Sequence, residues 1–269
     1  LTPGYYYVLE VGLSGIYEKV AEHGESHTKE AFKITIEAIR DFVDSLKSLL
    51  TDRSFGLKCG FPVQEIARII ERVPWYPAES FEEALFAVWL LNLFCWYDNH
   101  PLIGLGRLDQ WLYPYLKRDL ERGKITQEEA LSRIKLFMQW LNNSRLKKSN
   151  VLLGDTGQTL VIGGIRPDGS DGTNLLSLLI LEEVQQLKLP EPKVVARVHR
   201  KSPKYYLERL SDVVRLNLGY PLICNDDLII RALQNAGYLE EDARDYVVAA
   251  CWEYLIPGRS FDRGNVGRI

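Results

Sequence analysis

The chain has 269 residues, of which 46% are apolar and 26% are charged, so it is long enough to bury a large core. Its net charge of −3 gives no electrostatic case for nucleic-acid binding. The longest apolar stretch, residues 86–97, is interrupted by Asn92 and falls short of the roughly 20 residues that cross a membrane. We therefore predict a buried helix there and no membrane association. No signal-peptide pattern opens the chain, and the cysteines lack CxxC spacing, so a cytoplasmic setting is expected.

Helical patterns dominate the first half of the chain. Apolar residues at spacings of three and four predict an amphipathic helix over residues 29–50, with its apolar stripe in the core. Ser80 and Glu83 form a capping-box pattern that begins a helix running to about residue 97. Thr126 and Glu129 repeat this pattern for a helix ending near residue 141.

Strand and helix patterns alternate in the second half, which predicts an α/β fold. The predicted strands cover residues 159–162, 193–199 and 222–224. A helix is predicted over residues 175–187, capped by Thr173 or Asn174. A second is predicted over residues 203–219, with Pro203 at the first helical position and Gly219 at the end. A third covers residues 226–235.

A thiol and a carboxylate lie close together in the sequence near residue 250. The apolar run at residues 247–249, continued to Glu253, predicts one short strand in which Cys251 and Glu253 share a face and Trp252 takes the other. A neighbouring carboxylate disfavours a thiolate, whereas a thiolate nucleophile needs a cation nearby. A thiol that transfers hydrogen atoms need not ionise, and the carboxylate can act separately as acid or base. The pair is therefore unusual for ionic chemistry and compatible with hydrogen-atom transfer, and a buried free cysteine without a chemical role is the alternative interpretation of Cys251.

Three ordered groups of segments, spanning about residues 85–258, resemble the glycyl radical enzymes. That family includes pyruvate formate-lyase, glycerol and diol dehydratases, choline lyase and arylacetate decarboxylases. The segments are Gly106-Arg107-Leu108-Asp109-Gln110 with Leu112-Tyr113-Pro114, residues 159–164 with 168–174, and residues 225–230 with 243–246 leading to Cys251-Trp252-Glu253.

The resemblance implies an α/β fold that is part of a ten-stranded α/β barrel, with helices packed outside the strands and the cysteine on an interior loop. Residues 1–269 are then expected to form a single partial catalytic domain that supplies roughly one half of the barrel. Family members carry the radical glycine in a C-terminal Arg-Val-x-Gly-aromatic motif, which Asn265-Val266-Gly267-Arg268 does not match. The glycyl radical domain is therefore expected to be absent from this chain.

The resemblance also implies a mechanism and partners. An activating enzyme that uses S-adenosylmethionine and an iron–sulfur cluster installs the glycyl radical, and the chain itself binds no cofactor. A thiyl radical on Cys251 would abstract hydrogen from a small organic substrate, with Glu253 as acid or base. The full-length form is expected to be a homodimer. Two alternatives stay open: an incomplete or non-catalytic subunit that needs a glycyl-radical partner in trans, and an ordinary thiol enzyme.

The substrate class is partly readable from departures from the family pattern. Trp252 follows Cys251 where pyruvate formate-lyase has a second cysteine, which disfavours that activity and favours C–O, C–N, C–S or C–C lyase chemistry of the dehydratase, lyase or decarboxylase type. His100 lies in Asn99-His100-Pro101-Leu102, where dehydratase-like members carry Asn-Gly-His-Ser. Arg197 could reach an anionic substrate group or form a structural ion pair. The candidate substrate contacts are thus His100, Arg197 and Trp252.

Other constellations have plainer explanations. The glycines between residues 154 and 172 lack the Gly-Lys-Ser/Thr ending of a phosphate loop, so they are interpreted as turns around a strand. The histidines are scattered and show no HExxH motif, and no metal site is predicted. His199 and Asp109 are interpreted as structural residues, and Cys224 as a small buried apolar residue.

Overall fold

A computed structural model of the chain describes residues 2–22, 26–51, 63–97, 103–143, 157–249 and 252–260. The chain divides into two compact units, Tyr5–Phe94 and a larger unit that joins Leu1–Gly4 to Cys95–Ile269. In the first unit the described elements are helices: α1 Tyr5–Glu22, α2 His27–Thr51, α3 Val63–Ile70 and most of α4 Phe81–Tyr97.

Helix α1 is kinked at Gly12, whose φ of 68° is a conformation that glycine adopts without strain. A side chain there would meet the backbone of Trp75 and Tyr76, with the Trp75 carbonyl oxygen 2.3 Å from the added Cβ. The kink lets the peptide N–H groups of Leu13 and Ser14 donate to the carbonyls of Pro74 and Trp75, each at 2.9 Å. The chain after α3 is thereby fixed against α1.

The predicted helices of this unit are confirmed. Helix α2 extends the predicted range 29–50 by two residues at its start and one at its end. Ile36 and Val43 of its apolar stripe are buried, whereas Phe32 of the same stripe is exposed, so the prediction that the stripe lies in the core is wrong for Phe32. Helix α4 begins directly after Ser80, whose Oγ accepts from Glu83 N–H at 3.1 Å. The Glu83 carboxylate accepts from the N–H of Glu79 at 2.7 Å. In a standard capping box it would accept from the N–H of the cap residue, Ser80, so the second bond of the motif lies one residue earlier.

The second unit alternates helices and strands, as the sequence predicts. The elements are α5 Leu108–Glu121, α6 Gln127–Asn143, β1 Thr159–Gly163, α7 Leu175–Leu187, β2 Lys193–Val198, α8 Lys204–Val214, β3 Leu222–Asn225, α9 Asp226–Asn235, α10 Glu240–Arg244, β4 Val247–Ala249 and β5 Glu253–Leu255. The α/β class is therefore confirmed.

Strands β1, β2 and β3 form a parallel sheet in that order, and β4 and β5 form a separate antiparallel hairpin. Gly163 pairs with Arg197, and Arg197 pairs with Cys224, so the carboxyl ends of the three strands lie side by side. Val161, Val195 and Cys224 share one core cluster with the hairpin. The hairpin therefore packs on one face of the sheet: the residue before β4, Tyr246, contacts the carboxyl end of β2, and Val248 contacts Thr159 at the amino end of β1.

The prediction of a helix from Pro203 to Gly219 is wrong at both ends. Helix α8 covers Lys204–Val214, and Pro203 is its N-cap rather than its first helical residue. After Val214 the backbone forms turns, in which the N–H of Leu216 donates to the carbonyl of Val213 and that of Asn217 to the carbonyl of Val214. Asn217 has a φ of 54°, which is incompatible with a continuing α-helix. Asparagine tolerates this left-handed conformation better than most residues, so the chain turns there before it reaches Gly219.

Helix α7 begins where the sequence predicts, and the cap is Asn174 rather than Thr173. Its Oδ1 accepts from the N–H groups of Leu176 and Ser177, at 2.9 and 3.2 Å. In the part of the chain that the structure describes, no helix combines the length and the hydropathy that crossing a membrane requires.

Candidate functional site

The carboxyl ends of β2 and β3 bring together two oppositely charged side chains that are fully buried. Arg197 lies on β2 and Asp226 follows β3 as the first residue of α9, and both are 0% exposed. Arg197 Nε donates to Asp226 Oδ1 and Arg197 Nη2 donates to Asp226 Oδ2, each at 2.9 Å. This two-pronged geometry is the strongest form of an arginine–carboxylate pair.

The remaining N–H groups of Arg197 bind backbone carbonyls. Nη1 donates to the carbonyl of Tyr246 at 2.9 Å, and Nη2 donates to those of Arg244 at 2.8 Å and Ile165 at 3.2 Å. Burial opposes the charge on Arg197, yet Tyr246 and Asp226 raise its pKa above the ordinary arginine value. Arg197 is therefore a charged residue whose donors are all turned toward the protein.

A second buried arginine, Arg107, supports the same segment from the turn before α5. Its Nη1 donates to the carbonyl of Arg244 at 3.2 Å and to Asp245 Oδ1 at 3.3 Å, and its Nη2 donates to the carbonyl of Gly163 at 3.1 Å. Burial, followed by repulsion from Arg197, lowers the pKa of Arg107 to about 10.

Asp109 connects α5, β1 and α7. Its Oδ2 accepts from the N–H of Gly163 at 2.7 Å and from Ser177 Oγ at 2.5 Å, and the residue is fully buried. Burial raises the pKa of the Asp109 carboxyl, while the two hydrogen bonds oppose that rise. This is the structural role that the sequence favoured for Asp109.

The hairpin β4–β5 carries Glu253 at the first position of its second strand. Ala249 pairs with Glu253, and Val248 pairs with Tyr254. Trp252 N–H donates to the carbonyl of Ala249 at 3.0 Å, and Trp252 has a φ of 77°. The prediction of one continuous strand over residues 247–253 is therefore wrong, because the chain reverses direction between Ala249 and Glu253.

Glu253 and Trp252 are both half-buried, and Trp252 packs against the core cluster shared by the sheet and the hairpin. Two of the residues singled out from the sequence, Cys251 and His100, lie outside the described residues. Arg197 forms the structural ion pair that the sequence left as one of its two roles. Within the described residues, the site is thus Glu253 on a hairpin that Arg197 helps to hold.

Two residues of this arrangement were not singled out individually from the sequence. Tyr246 is fully buried, and its hydroxyl donates to Asp226 Oδ1 at 2.7 Å. Asp226 was visible only as the first acidic residue of the helix at residues 226–235. The signal that pointed to both was their place in the resembling segments.

The remaining sequence interpretations concern His199, Cys224 and metal binding. His199 Nε2 lies 2.8 Å from Asp171 Oδ1, so this histidine has a structural partner. Cys224 is buried, and that burial raises the pKa of its thiol. Among the described residues, no three His, Cys, Asp or Glu side chains cluster in a way that would hold a metal ion.

The fold is similar to solved glycyl radical enzymes. A structure described as 1,2-propanediol dehydration in Roseburia inulinivorans matches 96% of this chain with a TM-score of 0.85 at 29% identity, and the match covers 35% of that protein. A glycyl radical enzyme from Archaeoglobus fulgidus matches 96% of this chain with a TM-score of 0.84 at 28% identity, over 36% of its own length. The fold and the hairpin thus define an α/β protein of the glycyl radical enzyme class.

The family follows from the sequence comparison. The model described as pyruvate formate lyase-like matches residues 1–266, and the chain belongs to that family. The isethionate sulfite-lyase of Oleidesulfovibrio alaskensis is 30% identical over 73% of this chain and 25% of its own length. The (2S)-3-sulfopropanediol dehydratase of Klebsiella oxytoca is 27% identical over 94% of this chain and 32% of its own length. The chain therefore spans about a quarter to a third of the curated relatives it matches.

Proposed function

We propose that this chain is the part of a glycyl radical enzyme that carries the thiyl cysteine, Cys251, and its acid/base partner, Glu253. The observation that carries the proposal is the β4–β5 hairpin. Its second strand begins with Glu253, which is half-buried and lies two residues after Cys251 in the sequence, on a hairpin that packs against one face of the parallel sheet. Relatives that are named lyases and dehydratases support the same reaction class.

The chemistry fits a thiol beside a carboxylate. A glycyl radical would take the hydrogen atom of the Cys251 thiol, so that a glycine C–H bond forms as the S–H bond breaks and the unpaired electron is left on Cys251. The Cys251 thiyl radical then forms an S–H bond by taking hydrogen from a substrate carbon, which leaves a carbon radical. Glu253 takes or gives the proton as a C–O, C–N, C–S or C–C bond breaks. The product radical recovers hydrogen from Cys251, so the cycle involves no net oxidation.

The finer structural expectations belong to this proposal. The parallel sheet β1–β2–β3 would be part of a ten-stranded barrel, and residues 1–269 would be one partial catalytic domain. Such an interior keeps water away from the reacting radical. The partners would be a radical S-adenosylmethionine activating enzyme and a second copy of the full-length protein, in the cytoplasm. His100 and Trp252 would contact the substrate.

The test is anaerobic electron paramagnetic resonance on the full-length protein with an activating enzyme and S-adenosylmethionine. A glycyl radical doublet is expected. Turnover should then be measured on isethionate, 2,3-dihydroxypropane sulfonate, 1,2-propanediol, glycerol and 4-hydroxyphenylacetate. No doublet, with an activating enzyme competent on another substrate protein, would contradict a single-chain enzyme and favour a radical glycine supplied in trans.

Two substitutions assign the roles. Cys251→Ser should abolish turnover while the glycyl radical still forms, and Cys224→Ser, the same change at a buried thiol on β3, should retain turnover. Glu253→Gln should block product formation, and Glu241→Gln, at an exposed glutamate on α10, should not. Retained turnover in Cys251→Ser would overturn the thiyl assignment, and a normal product yield from Glu253→Gln would remove that residue from the mechanism.

A further inference from the structure

Three buried side chains hold the chain where it enters the hairpin, and we name Arg197, Asp226 and Tyr246 the clamp. Arg197 binds the carbonyls of Arg244 and Tyr246, at 2.8 and 2.9 Å. Arg197 and Asp226 are 0% exposed, so neither can contact a substrate directly. Any effect of these two residues on catalysis must therefore pass through the residues that they hold.

Tyr246 contacts both the Arg197–Asp226 ion pair and the hairpin. Its hydroxyl donates to Asp226 Oδ1 at 2.7 Å, and its ring centroid lies 3.8 Å from the guanidinium carbon of Arg197. The same ring meets Tyr254 edge to face, with 5.7 Å between ring centroids. Tyr254 directly follows Glu253, so an unbroken series of contacts runs from the Arg197–Asp226 pair to the neighbour of Glu253.

The hairpin needs such external support. Strands β4 and β5 have three residues each, and a two-stranded ribbon of this length is not stable by itself in water. It is held at Tyr246 by the clamp, and at Val248 by Thr159 Oγ1, which donates to the Val248 carbonyl at 2.7 Å. The burial of Val247, Val248 and Ala249 against the sheet also stabilises the hairpin.

We propose that Arg197, Asp226 and Tyr246 are positioning residues for Glu253: they fix the hairpin on the sheet so that the Glu253 carboxylate occupies one place. This inference rests on the acid/base role proposed above. The clamp contributes no atom to the reaction. It sets where the proton-transferring carboxylate lies, and a displacement of about 1 Å at such a group can slow a reaction on the order of a hundredfold.

The first test compares two conservative substitutions in the activated full-length protein. Tyr246→Phe removes the hydroxyl that binds Asp226 and keeps the ring. Tyr206→Phe removes another buried hydroxyl, which within the described residues hydrogen-bonds to the carbonyls of Ile162 and Arg197. We expect Tyr246→Phe to lower kcat per glycyl radical about tenfold or more, with KM changed less than about threefold and the pH profile of kcat displaced. Tyr206→Phe should change kcat less than about twofold.

The second test does not depend on radical chemistry. Amide hydrogen exchange of residues 247–256 should be measured in the non-activated full-length protein. Exchange should accelerate in Tyr246→Phe and in a second variant, Asp226→Asn, and stay at the wild-type rate in Tyr206→Phe. If the wild-type protein forms no radical, the single-chain form of the proposed function fails, and this measurement still decides whether the clamp holds the hairpin.

Two results would overturn the inference. Wild-type exchange across residues 247–256 in both clamp variants would show that the hairpin is held without them. Accelerated exchange with an unchanged kcat per radical and an unchanged pH profile would show that the position of Glu253 does not depend on the clamp. Accelerated exchange together with a reduced kcat and a displaced pH profile would support it.

Discussion

Arg107 and Arg197 converge on one backbone atom: both donate to the carbonyl oxygen of Arg244, at 3.2 and 2.8 Å. Two buried cations side by side repel each other, and this repulsion is one cause of the lowered pKa of Arg107. Asp226 and Asp245 supply the compensating negative charge. Charge-assisted hydrogen bonds from two arginines in different parts of the chain therefore hold the segment that leads into the hairpin.

Arg107→Lys is expected to destabilise the protein. A lysine ammonium cannot reproduce the planar fork that reaches the carbonyls of Gly163 and Arg244 together with Asp245. We expect the free energy of unfolding to fall by about 2 kcal/mol, because hydrogen bonds from a charged donor to buried carbonyls are lost. Chemical denaturation of the full-length protein measures this value. Arg215→Lys, at an exposed pair on α8, should leave the denaturation midpoint unchanged; equal midpoints for both variants would contradict the expectation.

Gly164→Ala should be far more damaging than Gly123→Ala. Both glycines have positive φ, 78° and 63°, so an alanine is strained at either one, by about 1 kcal/mol. At Gly164 the added Cβ would also lie 2.6 Å from Arg197 Cβ and 2.7 Å from Asp226 Oδ2, whereas nothing lies within 4 Å at Gly123. We expect thermal unfolding to detect a further loss of about 2 kcal/mol or more for Gly164→Ala. Equal losses would mean that the ion pair can move aside.

Asn174→Ala should cost more than the loss of an ordinary cap. Its Oδ1 caps α7, and its Nδ2 donates to the carbonyls of Asp109 and Gly172, at 3.3 and 3.2 Å. Thr126→Ala removes a cap at the exposed start of α6 and should cost about 1 kcal/mol. We expect about 2–3 kcal/mol for Asn174→Ala, because buried partners are left unsatisfied. Urea denaturation of the two variants provides the comparison, and a smaller cost for Asn174→Ala would contradict it.

Asp109 should make stability depend on pH in a direction opposite to that of a salt-bridged carboxylate. Burial raises its pKa, so the folded state binds this proton more tightly than the unfolded chain does. The stabilisation is fully present below the unfolded pKa and is lost as the pH rises through the raised folded pKa. The other carboxyl groups contribute equally to both proteins, so their contributions cancel when the unfolding free energy of Asp109→Asn is subtracted from that of the wild-type protein.

The measurement for Asp109 is the free energy of unfolding at a series of pH values. The free energy of unfolding of the wild-type protein minus that of Asp109→Asn should decline as the pH rises from the unfolded pKa through the raised folded pKa, and then become constant. Parallel profiles for the two proteins would show that Asp109 does not titrate differently in the folded and unfolded states. A difference that grows with pH would indicate a folded-state pKa below the unfolded value.

The sequence predicted those elements whose signals are local. The capping patterns of Ser80 and Thr126, the alternating strands and the Asn174 cap all act within a few residues, and their helices and strands lie where the patterns placed them, within one or two residues. These parts needed no knowledge of distant contacts.

The hairpin and the clamp could not be predicted in the same way. Residues 247–253 contain no glycine, proline or asparagine, and nothing marks the reversal that places Trp252 at positive φ. An aromatic residue takes that conformation only because the surrounding core fixes it. Arg197 was left with two possible roles, since its partner Asp226 lies 29 residues away and its carbonyl acceptors lie 32, 47 and 49 residues away in both directions along the chain.

The hydrogen bond from Arg107 to the Arg244 carbonyl joins residues 137 apart in sequence, and that from Thr159 to Val248 joins residues 89 apart. Contacts of such separation form late in folding, because long loops must close first. The hairpin that bears Glu253 can therefore take its final position only after the turn before α5, the three parallel strands and α9 have come together. The acidic residue would be set in place at the end of folding, so a chain that had assembled incompletely would lack a positioned acid/base group.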